Sequence, residues 1–253
     1  MASARRGGRS EAPGPQAPDP RARRDRVRRL FPCPPSARRA CGARGRDEAQ
    51  LRVEKALRMI SPRRGIRVLL LGEAEGMLAR RLSRCAGVEV TWLEPGGGAE
   101  GAASPLASTG YTRLAGDLCG LPFPAGTFDA AAAQFTLDFL SDGGRALSEW
   151  ARVLKEGGRL VLVARNRLYR GPEPRPGPRP LRAFAPAELR EAVEAAGFVV
   201  NDISTLIPDL RLPALYRGDL SFCLFLEKVP GLRMRGRLLF IQAEKRGAGR
   251  CGA

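Results

Sequence analysis

The stretch VLLLGEAEGMLARRL, from Val68 to Leu82, decides the fold of this 253-residue chain. It reads as a buried strand, a turn bounded by Gly72 and Gly76, and a helix. The first glycine lets the chain turn sharply off the strand. The second lets the helix pack closely and leaves backbone N–H groups free for a ligand. Because such glycines also occur in ordinary strand–helix turns, the surrounding sequence must decide between a nucleotide-binding turn and a structural one.

Strands and helices alternate along the chain on both sides of this stretch. Uninterrupted apolar runs such as LVLVA are typical of strands covered on both faces. Strands separated by helices predict right-handed crossovers and a mostly parallel sheet, whereas the last two strands lack a crossover helix and predict an antiparallel pair. The predicted strands are Arg67–Leu71, Val88–Leu93, Thr112–Ala115, Phe128–Gln134, Arg159–Ala164, Phe198–Ile203 and Arg237–Ala243, and the predicted helices are Asp47–Met59, Gly76–Ala86, Gly143–Leu154 and Pro186–Ala196.

Positive charge is concentrated at the N-terminus. Residues 1–46 hold 13 arginines and three acidic residues with almost no large apolar side chains, which predicts a disordered extension. A single folded domain is expected over 47–245, followed by a short polar tail at 246–253. The net charge of +17 makes nucleic acid a partner to consider. However, the N-terminal extension carries no aromatic residue among its arginines except Phe31, so nucleic-acid binding stays an open alternative.

The composition excludes several chemistries and compartments. The chain has no histidine, which rules out Ser–His or Cys–His nucleophile pairs and His-ligated zinc. Its six cysteines form no C-x-x-C pair, so we expect free thiols, no metal site and a reducing compartment, namely the cytoplasm. The Arg-rich extension leaves organelle targeting as a less favoured alternative. No apolar run approaches the roughly 20 residues that a membrane span requires.

Two acidic residues follow later strands of the predicted sheet. Glu94, in VTWLEP, ends the strand after the glycine turn, where a carboxylate can accept both hydroxyl hydrogens of a ribose. Asp117, in GDLCGLPFPAGTFDA, follows the next strand and suits either an adenine amine or an ordinary turn. In RVLKEGGRLVL, Gly157 and Gly158 predict the C-cap of a helix and not a phosphate loop.

Taken in order, VLLLGEAEG, VTWLEP, GDLCGLPFPAGTFD, QFTLDFL and ALSEWARVLKEGGRLVLV resemble the class I S-adenosylmethionine-dependent methyltransferases. The resemblance is closest to the small-molecule branch called methyltransferase type 11 and covers roughly residues 49–244. It implies an α/β Rossmann-like fold with a mostly parallel seven-stranded sheet, flanking helices and an antiparallel last strand. It also implies S-adenosyl-L-methionine as the cofactor and a small-molecule methyl acceptor as the partner.

The resemblance further implies a cofactor site along the carboxyl ends of the strands. The glycine turn would cradle the methionine part of the cofactor and the acid after the second strand would hold the ribose. Later residues would flank the adenine or lie close to the sulfonium. In that order the implied residues are Gly72, Glu73, Ala74 and Gly76 for the cradle, Glu94 for the ribose, Asp117 and Leu118 for the adenine, and Gln134 beside the sulfonium.

This sequence departs from the family pattern around the glycine turn. Leu70 stands where relatives carry an acid, Ala74 replaces the middle glycine, and Glu73 and Glu75 occupy places of small or neutral residues. The segment GGGAEGAASPLASTG replaces a helix that relatives have after the ribose acid. These departures leave open an alternative function, in which a catalytically degenerate member of the fold serves as a binding or scaffold module.

A catalytic base is needed only if the acceptor must lose a proton, because a sulfonium is already an activated leaving group. Asp138 is the candidate base and stands where relatives often have a histidine. Asp142, Tyr111 and Tyr169 are alternatives, and a helix N-cap or a solvated carboxylate is the competing interpretation of Asp138. Recognition of the acceptor is assigned to Tyr169–Phe184 and Leu206–Leu232, which suit a lid, additional core or an oligomer contact.

Overall fold

The computed structural model describes residues 43–72, 76–96, 110–170, 182–206 and 234–247, with side chains from residue 48 onward. Helices and strands alternate through these ranges. In chain order the elements are α1 (Ala43–Ile60), β1 (Arg67–Leu71), α2 (Met77–Leu82), β2 (Glu89–Pro95), β3 (Thr112–Gly116), β4 (Phe128–Gln134), α3 (Gly143–Val153), β5 (Leu154–Arg165), α4 (Pro186–Ala195), β6 (Phe198–Leu206) and β7 (Leu238–Lys245).

The strands form one seven-stranded sheet in the order β3-β2-β1-β4-β5-β7-β6. Strands β1 to β5 pair in parallel, and β7 runs antiparallel between β5 and β6. The predicted fold, with its antiparallel last strand, is therefore confirmed. The chain order reverses between β1 and β4, and open α/β sheets bind ligands beyond the carboxyl ends of the strands at such a switch point.

Apolar side chains fill both faces of the sheet, which explains the uninterrupted apolar run at β1. Leu69 and Leu71 face the side covered by α3 and α4, whereas Val68 and Leu70 face the side covered by α1 and α2. All four are fully buried. Leu70, which replaces the acid of the family pattern, is thus a core residue beneath the first pair of helices.

Element boundaries differ modestly from the predicted ones. Helix α1 begins at Ala43, four residues before the predicted start at Asp47, and buries Leu51 and Ala56 as expected. Helix α2 ends at Leu82 and is shorter than predicted. Residues 1–42 and 248–253 lie outside the described ranges, so the predicted extension and tail stay predictions.

The glycine pair of RVLKEGGRLVL does not cap α3, and that prediction is wrong. Helix α3 ends with Leu154 in an extended conformation, and the Leu154 N–H still donates to the Trp150 carbonyl. The helix therefore closes on its own backbone and passes directly into β5. Gly157 and Gly158 lie within β5, where the register shifts between the pairs Phe128↔Leu154 and Ala130↔Arg159.

The chain leaves β6 and returns to β7 at one place. The Gly236 N–H donates to Thr205 Oγ1 at 3.0 Å. A Cβ on Gly236 would lie 2.4 Å from the Leu206 carbonyl oxygen, so only glycine fits there. Asn166, just after β5, donates through Nδ2 to the carbonyls of Met234 and Gly236. These contacts fix both ends of the intervening segment at the carboxyl edge of the sheet.

Candidate functional site

The first glycine of the turn packs against the loops that follow β3 and β4. Gly72 has a left-handed backbone, with φ of +70°, and its N–H donates to the Leu93 carbonyl at 2.9 Å. A Cβ at this position would lie 2.9 Å from Thr136 Oγ1 and 3.6 Å from Leu118 Cδ1. The turn, the loop after β3 and the loop after β4 therefore meet at Gly72, where a side chain has no room.

The second glycine brings α2 close to β2. Gly76 also has a left-handed backbone, with φ of +58°. A Cβ on it would lie 3.2 Å from Trp92 Cζ3 and 3.8 Å from the Tyr111 hydroxyl oxygen. This close approach confirms the packing role predicted for the last glycine. It also places Tyr111, an alternative base, against the aromatic ring of Trp92.

Three residues of the glycine turn, Glu73, Ala74 and Glu75, lie outside the described part of the chain. The contacts predicted for Glu73 and Ala74 with the cofactor stay predictions. Within the described ranges the two ends of the turn are thus fixed by packing, at Gly72 and Gly76.

Glu94 is buried near the end of β2 and held by an arginine that the sequence did not reveal. Glu94 is only 8% exposed, and its Oε2 accepts a hydrogen bond from Arg113 Nη2 at 2.5 Å. The Arg113 guanidinium carbon lies 4.7 Å from the centre of the Trp92 ring. Because Trp92 pairs with Arg113 in the parallel β2–β3 register, the arginine reaches Glu94 on the same face. The predicted ribose acid is therefore oriented by an ion pair.

The residues predicted to flank the adenine lie in the turn after β3. Asp117 is exposed, and its Oδ1 accepts a hydrogen bond from the Cys119 N–H at 2.9 Å, so this carboxylate shapes its own turn. Leu118 is 2% exposed, and its carbonyl accepts from Trp150 Nε1 at 3.0 Å. The turn is thereby tied to helix α3, and its position relative to Gly72 is fixed.

The loop after β4 contains a buried amide without hydrogen-bond partners. Gln134 is 5% exposed, and neither Oε1 nor Nε2 forms a hydrogen bond in the structure. The next residue, Phe135, has a left-handed backbone with φ of 57°, which is uncommon for a residue with a side chain. Its N–H donates to the Val163 carbonyl at 2.7 Å, and Thr136 Oγ1 donates to the Leu71 carbonyl at 2.6 Å. No sequence motif indicated this backbone geometry.

Asp138 lies in the same loop and is neither solvated nor a helix cap. It is 4% exposed, and neither carboxylate oxygen has a hydrogen-bond partner of ordinary geometry. Burial raises the pKa of Asp138 to about 8, and the backbone N–H and charge of Arg165 offset only part of this rise. The N-cap of α3 is Asp142, whose Oδ1 accepts from the Arg145 N–H at 2.9 Å. The competing interpretation of Asp138 is therefore excluded, and Asp142 has a structural role.

The described residues contain no group of three or more histidine, cysteine, aspartate or glutamate side chains placed to hold a metal ion. Among the helices in the described ranges, none has the length and apolar character needed to cross a bilayer. Of the acceptor-recognition segments, residues 171–181 and 207–233 lie outside the described ranges. The Arg182 N–H, just beyond the first of them, donates to the Asp138 carbonyl at 3.1 Å.

Residues 69–162 match the sequence profile of a family described as a methyltransferase domain. The matched range begins in β1 and ends in β5, so it includes the whole site from Gly72 to Asp138. Over this range the chain is similar to methyltransferase domains. The resemblance to methyltransferases predicted from the sequence motifs is thereby confirmed over this range.

The chain is 34% identical over 113 residues to a ubiquinone/menaquinone biosynthesis C-methyltransferase of Rhizobium johnstonii. That alignment covers 41% of this chain and 44% of the relative. The chain spans less than half the length of the curated relatives it matches, so the activity of the whole protein is treated below as a proposal.

Solved structures show the same fold across most of the chain. An S-adenosylmethionine-dependent methyltransferase from Mesorhizobium loti is similar with a TM-score of 0.54 and 21% identity, over 76% of this chain and 96% of that one. A [4+2]-cyclase is similar with a TM-score of 0.55 and 21% identity, over 77% of this chain and 79% of that one. Because enzymes of different chemistry share this architecture, the reaction must be argued from the site.

Proposed function

We propose that the protein transfers a methyl group from S-adenosyl-L-methionine to a small-molecule acceptor. The observation that carries this proposal is the loop after β4, where Gln134 and Asp138 are both buried and have unpartnered polar atoms beside the Gly72 turn. A buried polar group without a partner costs about 1–3 kcal/mol, so a native protein keeps one where a ligand or water satisfies it. This loop stands at the switch point of a methyltransferase domain.

The described residues fit the cofactor. Gly72 gives the turn a left-handed backbone without a side chain, Glu94 supplies a carboxylate for the ribose hydroxyls, and the Gln134 amide has both a donor and an acceptor to offer. Asp117 and Leu118 would flank the adenine in the turn beyond β3. When bound, S-adenosylmethionine supplies a methyl group on a sulfur that departs without charge.

The contribution of the protein is positioning and proton transfer. In-line methyl transfer depends chiefly on holding two reactants close and aligned, which a chain without histidine can do. Asp138 is proposed as the base that accepts the proton lost by the acceptor. A pKa near 8 suits a base that works close to neutral pH. If Asp138→Asn left turnover of an identified acceptor unchanged, this role would be excluded.

We infer that the acceptor is a hydroxylated aromatic ring. The support is the Rhizobium johnstonii relative, whose name places it in ubiquinone and menaquinone biosynthesis, together with the buried carboxyl of Asp138. A phenolic hydroxyl has a pKa near 10, and when a nearby carboxylate takes its proton both the phenolic oxygen and the adjacent ring carbons become stronger nucleophiles. Acceptors of this class are the first to test once cofactor binding has been established.

A second candidate function is a binding module that has lost catalysis. The observation in its favour is the Glu94–Arg113 ion pair, which already occupies one oxygen of the ribose acid. Buried ion pairs are costly to break, so this contact must be kept or exchanged without loss when a ribose binds. The two functions differ in whether the protein binds S-adenosylmethionine.

Calorimetric titration of the full chain with S-adenosylmethionine and S-adenosylhomocysteine tests the proposed function. We expect micromolar binding that is lost in Glu94→Ala and kept in Glu89→Ala. Glu89 is a matched control because it begins the same strand but is exposed and pairs with Arg67 at 3.0 Å, away from the site. No binding of either ligand by a folded sample would reject the enzyme and favour the binding module.

A further inference from the structure

Asp138 stands out among the acidic residues of the described ranges because its carboxyl group is buried and neither oxygen has a hydrogen bond of ordinary geometry. Its backbone, in contrast, is satisfied. The Asp138 N–H donates to the Phe135 carbonyl at 3.2 Å, and its carbonyl accepts from the Arg182 N–H at 3.1 Å. The loop therefore holds this carboxyl in place without neutralising it.

The same loop touches the cofactor turn. Thr136 lies against Gly72, and two residues of chain reach at most about 7 Å, so Asp138 begins close to that contact. Gln134, at the other side of Thr136, has an equally buried amide with two unpartnered atoms. Two buried polar groups within five residues of chain thus offer atoms for a ligand beside the glycine turn.

Charged groups around Asp138 do not fully offset the effect of burial on its pKa. Arg165, at the end of β5, is the charged side chain of the described residues whose field lowers the pKa of Asp138, and burial outweighs it. Arg182 contributes its backbone N–H, while its guanidinium lies 3.1 Å from Glu188. At neutral pH the Asp138 carboxyl is therefore mostly protonated when no ligand is present.

We propose that Asp138 releases its proton when a cationic ligand binds beside Gly72, so that the protein distinguishes S-adenosylmethionine from S-adenosylhomocysteine by charge. This inference rests on the proposed function. A positive charge within a few ångströms favours the ionised form of a carboxyl group. The sulfonium of S-adenosylmethionine carries that charge, whereas the thioether of S-adenosylhomocysteine does not. S-adenosylhomocysteine is thus bound beside a protonated, neutral Asp138, and no buried anion is left without a counter-charge.

Proton release is measured by titration calorimetry at one pH in two buffers of different ionisation enthalpy. We expect S-adenosylmethionine to release close to one proton more than S-adenosylhomocysteine, which has the same amino and carboxylate groups and controls for their titration. Below the pKa of Asp138, the ratio of the two dissociation constants should shift in favour of S-adenosylmethionine by about tenfold for each pH unit of increase.

Asp138→Asn should abolish the difference in proton release while still binding both ligands. Asp142→Asn is the matched control, because Asp142 is exposed, lies in the same segment, and asparagine preserves an N-cap. Infrared difference spectra of the unmodified protein should show a protonated carboxyl signal that disappears with S-adenosylmethionine alone. Equal proton counts for both ligands, or a count unchanged in Asp138→Asn, would overturn the inference. Failure of both ligands to bind would overturn the proposed function as well.

Discussion

Single residues at the site carry backbone and electrostatic strain that ordinary core positions do not. Gly72 has a left-handed backbone and no space for a side chain, Phe135 has a left-handed backbone despite its side chain, and Asp138 is a buried acid. Strain and unsatisfied groups of this kind persist where the surrounding structure enforces them, and they cluster at functional sites. All three belong to the turn after β1 or the loop after β4.

Gly72→Ala should destabilise the protein more than Gly126→Ala. Both glycines have positive φ, so each substitution should cost about 1 kcal/mol in backbone strain. Gly126 has open space around it, whereas a Cβ at Gly72 would push against Thr136 and threaten its hydrogen bond to the Leu71 carbonyl, worth about 1 kcal/mol more. Urea unfolding measures both. Equal losses would show that the contact with Thr136 has no energetic weight.

Asp138→Asn should change how stability depends on pH. The pKa of Asp138 is about 8 in the folded protein and has an ordinary value of 3.8, so between these values the unfolded chain ionises while the folded protein stays protonated. The contribution of Asp138 to stability is therefore highest below 3.8 and falls by up to roughly 1.4 kcal/mol for each pH unit as pH rises toward 8. The variant lacks this loss.

The measurement is urea unfolding of both proteins across that pH range. The free-energy gain from Asp138→Asn should grow with pH and level off above about 8. Asp142→Asn, an exposed acid in the same segment, should follow the unmodified protein. A constant difference between Asp138→Asn and the unmodified protein would mean that Asp138 titrates normally in the folded state.

At the scale of elements, helix α3 fixes the loop between β3 and β4 through one arginine. Arg152 donates from Nη1 to the Phe123 carbonyl at 2.8 Å and from Nη2 to the Leu121 carbonyl at 2.9 Å. It also pairs with Glu149 at 2.8 Å, and this hydrogen bond lowers the pKa of Glu149. Glu149 in turn accepts from the Leu121 N–H. The motif ALSEWARVL thus supports the loop that bears Asp117.

Arg152→Lys should lose most of this support. Lysine has one nitrogen and cannot reproduce the planar fork, so we expect a loss of about 1–2 kcal/mol in unfolding free energy and weaker binding of S-adenosylmethionine. Arg190→Lys is the control, because Arg190 makes only a surface ion pair with Glu194 at 3.7 Å. Stability and calorimetric affinity are measured for both. If Arg152→Lys lost the expected stability but bound S-adenosylmethionine with unchanged affinity, the loop between β3 and β4 would have no part in cofactor binding.

The sequence predicted elements well where local pattern decides them and less well where distant pairing does. The apolar run at Arg159–Ala164 correctly predicted the second, buried half of β5. The transition from α3 to β5 was missed because Leu154 is extended through its pairing with Phe128, a residue far away in the sequence. The position of β7 between β5 and β6 likewise depends on strand pairing, which periodicity does not encode.

At the scale of the whole molecule, the sheet brings together residues that lie in separate motifs of the sequence. Gly72 and Glu94 follow from the sequence because each ends a strand in a recognisable motif. Arg113 does not, because its contact with Glu94 exists only in the β2–β3 register. The role of Asp138 as a buried, unpartnered acid was equally hidden, since burial of a loop residue depends on the packing of β5 and the segment at Arg182.

Deletion of residues 1–42 should separate the basic extension from the methyltransferase domain. We expect the shortened chain to bind S-adenosylmethionine with unchanged affinity, because every described site residue lies beyond residue 71. A phosphate-contacting extension predicts that any binding of RNA or DNA by the full chain weakens steeply with salt and falls further on deletion. Fluorescence anisotropy at several salt concentrations measures this. Nucleic-acid affinity that survives deletion would place the contact on the folded domain.

The hydrogen bonds among Thr205, Gly236 and Asn166 join the end of β6 to the chain before β7. This junction has a consequence for how the fold can diversify. Because the chain exits and re-enters the sheet through one closed junction, the length and composition of whatever is inserted there are uncoupled from the register of β6 and β7. Loop closure costs grow only slowly with length. The junction is therefore a natural graft point, at which a segment of different length can be inserted while the strands on either side keep their pairing.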